Sequence, residues 1–182
     1  MARLILFLGI LVLTGSVSDT TAQSAAQIWT SNGANKLQLF NDGTITDLAA
    51  ENAFTPWGVT VDPVAGFVYW SNVTEGTIKR ANLDGSDVQT LFTDLDLPRG
   101  IALDASTNTL FWAEAGINSP GIKRSDLDEA QLNVTEVATS IVVSPYHLAL
   151  DTDRQFIYWV DNASTVKEIN RIRFDGSGAE TI

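Results

Sequence analysis

The stretch from Phe67 to Leu91, FVYWSNVTEGTIKRANLDGSDVQTL, decides how the chain is read. It returns with edits as QIWTSNGANKLQLFNDG (Gln27 to Gly43), LFWAEAGINSPGIKRSDLD (Leu110 to Asp128) and FIYWVDNASTVKEINRIRFDG (Phe156 to Gly176). The tryptophans Trp29, Trp70, Trp112 and Trp159 stand 41, 42 and 47 residues apart. A second landmark keeps this register: Gly58-Val59-Thr60-Val61-Asp62, Gly100-Ile101-Ala102-Leu103-Asp104 and His147-Leu148-Ala149-Leu150-Asp151. Each follows a proline and one variable residue, Pro56-Trp57, Pro98-Arg99 and Pro145-Tyr146. The third landmark is an acidic turn, at Asp42-Gly43, Asp84-Gly85, Asp128-Glu129 and Asp175-Gly176.

Three landmarks in one order make a repeat, and periods of about 40–45 residues indicate propeller blades. In Phe67-Val68-Tyr69-Trp70-Ser71 both faces of an extended strand are apolar, so it must be covered on both sides. A sheet stacked between two others meets that demand. In Gly58 to Asp62 and its copies the branched residues share one face while Thr60, Ala102 and Ala149 occupy the other, as expected of inner strands crowded around an axis. Asp-Gly supplies a hairpin turn with positive φ at low cost. Lettering blade strands A to D from the axis outward, strands B, C and D fall near residues 27–49, and full sets follow near 57–93, 99–138 and 146–182. No capped helical pattern of useful length occurs, so almost no helix is expected.

Residues 1–22 read as a secretory signal peptide, with Arg3 ahead of Leu4 to Leu13 and small and polar residues up to Ala22. The apolar run is far shorter than the roughly 20 residues a membrane helix needs, so no membrane span is expected. The chain is therefore expected to be secreted or extracellular, or periplasmic in a bacterium. With 45% hydrophobic and 18% charged residues and a mean hydropathy of +0.07, the profile is that of a folded domain. The absence of cysteine excludes a disulfide framework, a thiol nucleophile and a cysteine zinc site. A formal charge of −11 argues against nucleic acid as a partner.

Tyr69-Trp70-Ser71-Asn72, Phe111-Trp112-Ala113-Glu114 and Tyr158-Trp159-Val160-Asp161, with the Gly-Ile-Ala-Leu-Asp and Ile-Lys-Arg-Ala-Asn-Leu-Asp-Gly elements, resemble the YWTD (class B) repeats of the low-density lipoprotein receptor family. The resemblance covers Gln27 to Ile182. It implies an all-β, six-bladed propeller in an extracellular protein that binds other proteins through one end of the ring. The fourth motif position departs from the usual acid, running Ser31, Asn72, Glu114 and Asp161. The cysteine-rich modules that flank the propeller in that receptor family are absent from this sequence. Residues 23–182 are expected to form a partial propeller of about 3.75 four-stranded blades, with repeats near 27–56, 57–98, 99–145 and 146–182. Six blades need roughly 260 residues. Three accounts of the shortfall stand: a truncated product, a ring completed by another chain, or a small four-bladed ring. An open arc would expose inter-blade faces of the Val68, Trp70 and Ile101 kind, a surface for self-association.

Trp57, Arg99 and Tyr146 precede the inner strands and are candidates for a ligand-binding rim, since aromatic residues and arginine dominate protein contacts. His147, the one histidine, replaces the glycine of the other repeats and could make a contact sensitive to pH. Asn72, Asn133 and Asn162 begin N-glycosylation acceptor tripeptides if the source is eukaryotic, each at an expected turn or strand edge. The Asn82 to Asp87 segment lacks the ligand set of a calcium loop. No metal site, cofactor or catalytic residue is assigned. Two function classes remain. One is a non-catalytic extracellular protein-binding module. The other is a metal-dependent hydrolase or lactonase of the gluconolactonase or strictosidine synthase-like propeller type, with Glu114, Asn72 and Asp161 as oxygen ligands. The lack of a nucleophile and base pair or a Gly-X-Ser-X-Gly elbow favours the first.

Overall fold

The computed structural model describes residues 8–13, 26–31, 36–41, 44–48, 55–118, 120–128, 132–139, 141–163, 165 and 167–182. Most of the expected leader, the first acidic turn and Glu129 lie outside the described residues. Those described form strands and no helix: β1 (Leu8–Leu13), β2 (Ala26–Ser31), β3 (Lys36–Asn41), β4 (Thr44–Asp47), β5 (Pro56–Asp62), β6 (Phe67–Asn72), β7 (Thr77–Asn82), β8 (Gln89–Phe92), β9 (Pro98–Asp104), β10 (Thr109–Glu114), β11 (Gly121–Asp126), β12 (Thr135–Ala138), β13 (Pro145–Asp151), β14 (Phe156–Asn162), β15 (Lys167–Arg173) and β16 (Glu180–Thr181). Successive quartets pair as four antiparallel four-stranded sheets. The fold is an all-β, incomplete propeller.

The blade order agrees with the A-to-D lettering, with one addition. Leu8–Leu13 pairs antiparallel with β2, placing Leu11 opposite Ile28, and so takes the inner position of the first sheet. The sequence reading assigned only strands B to D to that sheet. The run Leu-Gly-Ile-Leu-Val-Leu has the composition of a leader core and also that of an inner strand, since both need branched apolar residues.

Packing repeats from sheet to sheet. Ile28, Leu37 and Leu48 of the first meet Val61, Val68 and Trp70 of the second. Tyr69, Ile78 and Phe92 then meet Ile101, Leu110 and Trp112 of the third. Phe111, Ala113 and Ile122 meet Ile157, Trp159 and Ile172 of the fourth. Trp70, Trp112 and Trp159 are fully buried between sheets, where truncation to alanine costs about 3–5 kcal/mol. The far face of the fourth sheet is uncovered: Ile169 is 50% exposed, whereas its counterparts Ile78 and Ile122 are at 0%. This face carries Val160, Ile169 and Ile182, not the tryptophan kind of residue expected there, because Trp70, Trp112 and Trp159 each point back to the preceding sheet.

The inner strands β5, β9 and β13 approach closely. A Cβ on Gly58 would lie 2.5 Å from the Arg99 carbonyl oxygen, and one on Gly100 would lie 2.7 Å from the His147 Cα. Only glycine fits there. At the third copy, His147, no further inner strand follows β13 among the described residues, and a side chain is accommodated.

Aspartates close the turns. Asp62 Oδ1 accepts from the Val64 and Ala65 amides, and Asp104 from the Ser106 amide and hydroxyl and the Thr107 hydroxyl. Asp84 Oδ1 accepts from the Ser86 amide and hydroxyl, with Gly85 at φ 85°. This turn is satisfied internally, as its recurrence as a hairpin turn implies.

Candidate functional site

A repeated backbone irregularity positions the candidate rim residues. Pro56 lies opposite Asn72 and Val59 opposite Trp70, so Trp57 and Gly58 together face the single residue Ser71. Arg99 and Gly100 face Ala113 in the same way, and Tyr146 and His147 face Val160. Each inner strand thus opens with a β-bulge, a device that re-aims side chains at strand ends. The variable residue after each proline is the first of the bulge pair.

The three bulges bring their side chains together. The Arg99 guanidinium lies 4.1 Å from the Tyr146 ring centroid and 5.5 Å from that of Trp57. The two rings meet edge to face at 5.4 Å. Arg99 Nη1 donates to Ser144 Oγ at 3.3 Å. Its Nε, like Trp57 Nε1, is buried without an acceptor among the described residues. Arg99 also forms no ion pair among them, in a chain with 22 acidic residues. The His147 ring lies 6.3 Å from that of Tyr146. Burial first, and then the Arg99 charge, hold its imidazole below the ordinary value.

Side chains that the sequence reading missed share this end of the ring. Leu97 and Val143 precede β9 and β13, and Ile117 lies in the β10–β11 connection; they are 40%, 51% and 95% exposed. The Ile117 loop is pinned at its base, with Ala115 N donating to Leu97 O at 3.2 Å and Asn118 N to Asp96 Oδ2 at 3.2 Å. Composition alone does not distinguish these residues from core. Their places one or two residues before a proline, for Leu97 and Val143, and in a strand connection, for Ile117, are the available signal.

Polar side chains one or two residues after the tryptophans tie down the bulges or the loops that lead into the inner strands. Thr30 Oγ1 donates to the Trp57 carbonyl at 2.8 Å. Ser71 Oγ accepts from Gly58 N at 2.9 Å and donates to the Arg99 carbonyl at 2.5 Å, linking two successive bulges. One residue on, Glu114 Oε1 accepts from Trp112 Nε1 at 2.9 Å, and Oε2 from Asp96 N at 3.0 Å and Lys123 Nζ at 3.1 Å. Asp161 Oδ2 accepts from Trp159 Nε1 and Asn170 Nδ2, and Oδ1 from the Val143 and Ser144 amides. Asn72 is buried and donates to Glu75 Oε2 at 3.1 Å and Thr77 Oγ1 at 3.4 Å. The three residues weighed as oxygen ligands are therefore spread over three sheets and engaged within them, and no group of three or more metal-binding side chains occurs among the described residues.

Residues 66–105 match the family model of the low-density lipoprotein receptor repeat class B. These residues carry a YWTD-type repeat, and the chain is similar to the YWTD repeat family in sequence and fold. In YWTD terms, the third letter supplies a hydroxyl to the next bulge in the first two sheets, and the fourth supplies a carboxylate to the tryptophan in the last two. Protein cueball of Drosophila sechellia is 36% identical over 125 residues, which are 66% of this chain and 18% of that protein. Protein cueball of Drosophila grimshawi is 33% identical over 125 residues, 64% of this chain and 19% of that protein. The match therefore spans under a fifth of these YWTD relatives.

Solved structures share the fold. A nidogen/laminin complex superposes with a TM-score of 0.77 at 20% identity, over 86% of this chain and 59% of that one. A gluconolactonase from Xanthomonas campestris superposes with a TM-score of 0.70 at 17% identity, over 83% and 56% of the two chains.

Of the expected acceptor asparagines, Asn133 and Asn162 are exposed, whereas Asn72 is fully buried. Asn72 is the fourth YWTD residue, and the blade interior claims it.

Proposed function

We propose that this YWTD chain is a non-catalytic extracellular protein-binding module whose contact surface is centred on Trp57, Arg99 and Tyr146, with His147 at its margin. The observation that carries this reading is the stacking of one variable residue from each of three bulges on the ring end that also exposes Leu97, Ile117 and Val143. Rigid aromatic rings around an arginine are the composition of an interface centre. An arginine with no carboxylate partner among the described residues favours a binding partner that supplies one.

The chemistry of the first 22 residues supports export, with the repeats of 23–182 as the mature unit. No helix among the described residues is long and apolar enough to cross a membrane. The uncovered face of the fourth sheet is the proposed surface for self-association or for a further chain, and solution mass from light scattering tests it.

The binding reading is tested by screening purified extracellular domains against the chain with biolayer interferometry, alongside Arg99→Ala and Trp57→Ala/Tyr146→Ala. Affinity is expected to fall at least about tenfold in both, the scale of a hot-spot truncation. A partner that binds all three proteins alike sinks the assignment of this surface. The hydrolase alternative rests on fold likeness to the gluconolactonase. Lactone turnover by the purified chain, abolished in a folded Glu114→Gln variant, would replace the first reading with it.

A further inference from the structure

We propose that the exported chain carries N-linked glycans on Asn133 and Asn162 and none on Asn72, the fold selecting two of three acceptor tripeptides. The three tripeptides, Asn72-Val73-Thr74, Asn133-Val134-Thr135 and Asn162-Ala163-Ser164, all meet the acceptor pattern, the third with serine in place of threonine. They differ in where the blades place the amide nitrogen that a sugar would take.

Asn72 ends β6 on the same face as Val68 and Trp70, and its side chain is 0% exposed. Its Nδ2 is already committed, to Glu75 Oε2 and Thr77 Oγ1. Thr74 is tied down as well, its hydroxyl 2.7 Å from that of Thr55. A sugar on Asn72 would break this buried set and push into the space between sheets, so a glycosylated copy does not complete the fold.

Asn133 is exposed just before β12, the outer strand of the third sheet, where Val134 is 47% exposed and Thr135 is also exposed. Asn162 is exposed at the end of β14. Its Oδ1 accepts from Lys167 Nζ, a bond that uses the carbonyl end of the amide and not the nitrogen. Ser164 lies outside the described residues. Side-chain alternation puts Asn162 with Tyr158 and Val160, on the face of the fourth sheet that no other sheet covers. The proposed glycan there stands at the edge of that apolar face.

The step requires a lipid diphosphate-linked oligosaccharide as donor. Asparagine Nδ2 bonds to C1 of the first sugar, the C1–O bond to the diphosphate breaks, the nitrogen loses one proton, and the lipid diphosphate leaves with the electron pair. No oxidation or reduction occurs.

The test is expression of the full chain in eukaryotic secretory cells, followed by peptide N-glycosidase release in heavy-oxygen water and peptide mapping. Release converts each used asparagine to an aspartate carrying the label. The expected result is label at Asn133 and Asn162 and none at Asn72, read on the unmutated secreted protein so that no variant need fold. Asn133→Gln and Asn162→Gln should each remove one step of the gel shift, and the double variant both. Label at Asn72 in secreted protein, or its absence at Asn133 or Asn162, overturns the proposal, as does a chain recovered entirely without glycan.

Discussion

The second and third sheets contain the same strands, yet they hold their tryptophans and bulges by different means. In the third sheet the Glu114 carboxylate joins the Trp112 indole, the Asp96 amide and the Lys123 ammonium. In the second, Asn72 stands in its place, Lys79 pairs with Glu75 at 2.9 Å, and Trp70 Nε1 is buried without an acceptor among the described residues. The reverse holds one residue earlier, where Ser71 bridges two bulges and Ala113 cannot. One sheet is fastened by a hydroxyl between blades and the other by a carboxylate within a blade. The two sheets are thus fastened by different bonds.

The largest effect should come from removing the carboxylate. Glu114→Ala strands an indole, an amide and an ammonium in a buried site and is expected to cost about 3–5 kcal/mol in urea unfolding, as breaking one side of a buried charge pair does. Asn72→Ala removes no such anchor and should cost distinctly less; equal losses would break the contrast between the two sheets.

Next in size is the crowding of the inner strands. Gly100→Ala drives a methyl group to within 2.7 Å of the backbone of β13 and should lower stability by about 1–3 kcal/mol. His147→Ala, in the same repeat position, should leave the unfolding midpoint nearly unchanged.

Smaller still is a transplant. Asn72→Asp with Glu75→Gln moves the carboxylate of the second sheet to the position it holds in the third, in reach of Trp70 Nε1 and Lys79. The expected gain is about 1 kcal/mol, the worth of an indole hydrogen bond restored, and Ser71→Ala should lose a similar amount. A transplant that destabilises would show that the second sheet has its own optimum.

The smallest effect is one of pH. His147 has a depressed folded-state value, so between pH values near ~6.5 and the lower folded value the unfolded chain binds more protons. Stability contributed by the neutral ring is complete above that window and is lost as pH falls through it. Unfolding midpoints of the chain and His147→Gln should therefore diverge on acidification from pH 7 to 5, the native chain showing the steeper loss.

The blades were legible because their cause is periodic: a strand apolar on both faces, repeated every 41 to 47 residues, has few places to go. The Pro-X-Gly spacing also marked Trp57, Arg99 and Tyr146 as residues of one ring end, and they stack on one another. The bulges were not legible, because an extra residue changes pairing without changing the hydrophobic pattern. Nor could the sequence separate Asn72 from Asn162, since burial there depends on which neighbouring sheet each side chain meets. Leu8–Leu13 shows a third kind of ambiguity, in which one apolar run satisfies both an export signal and the inner edge of a sheet.

The bulges also bear on how such a surface could be rewritten. Proline before and glycine or a close backbone contact after fix the path of the chain, while the side chain between them contributes little to the sheet core. Each of these three repeats therefore offers one interchangeable letter on a shared panel, and the recognition proposed for it could be respelled by substitutions at positions 57, 99 and 146 while the frame that holds them stays the same.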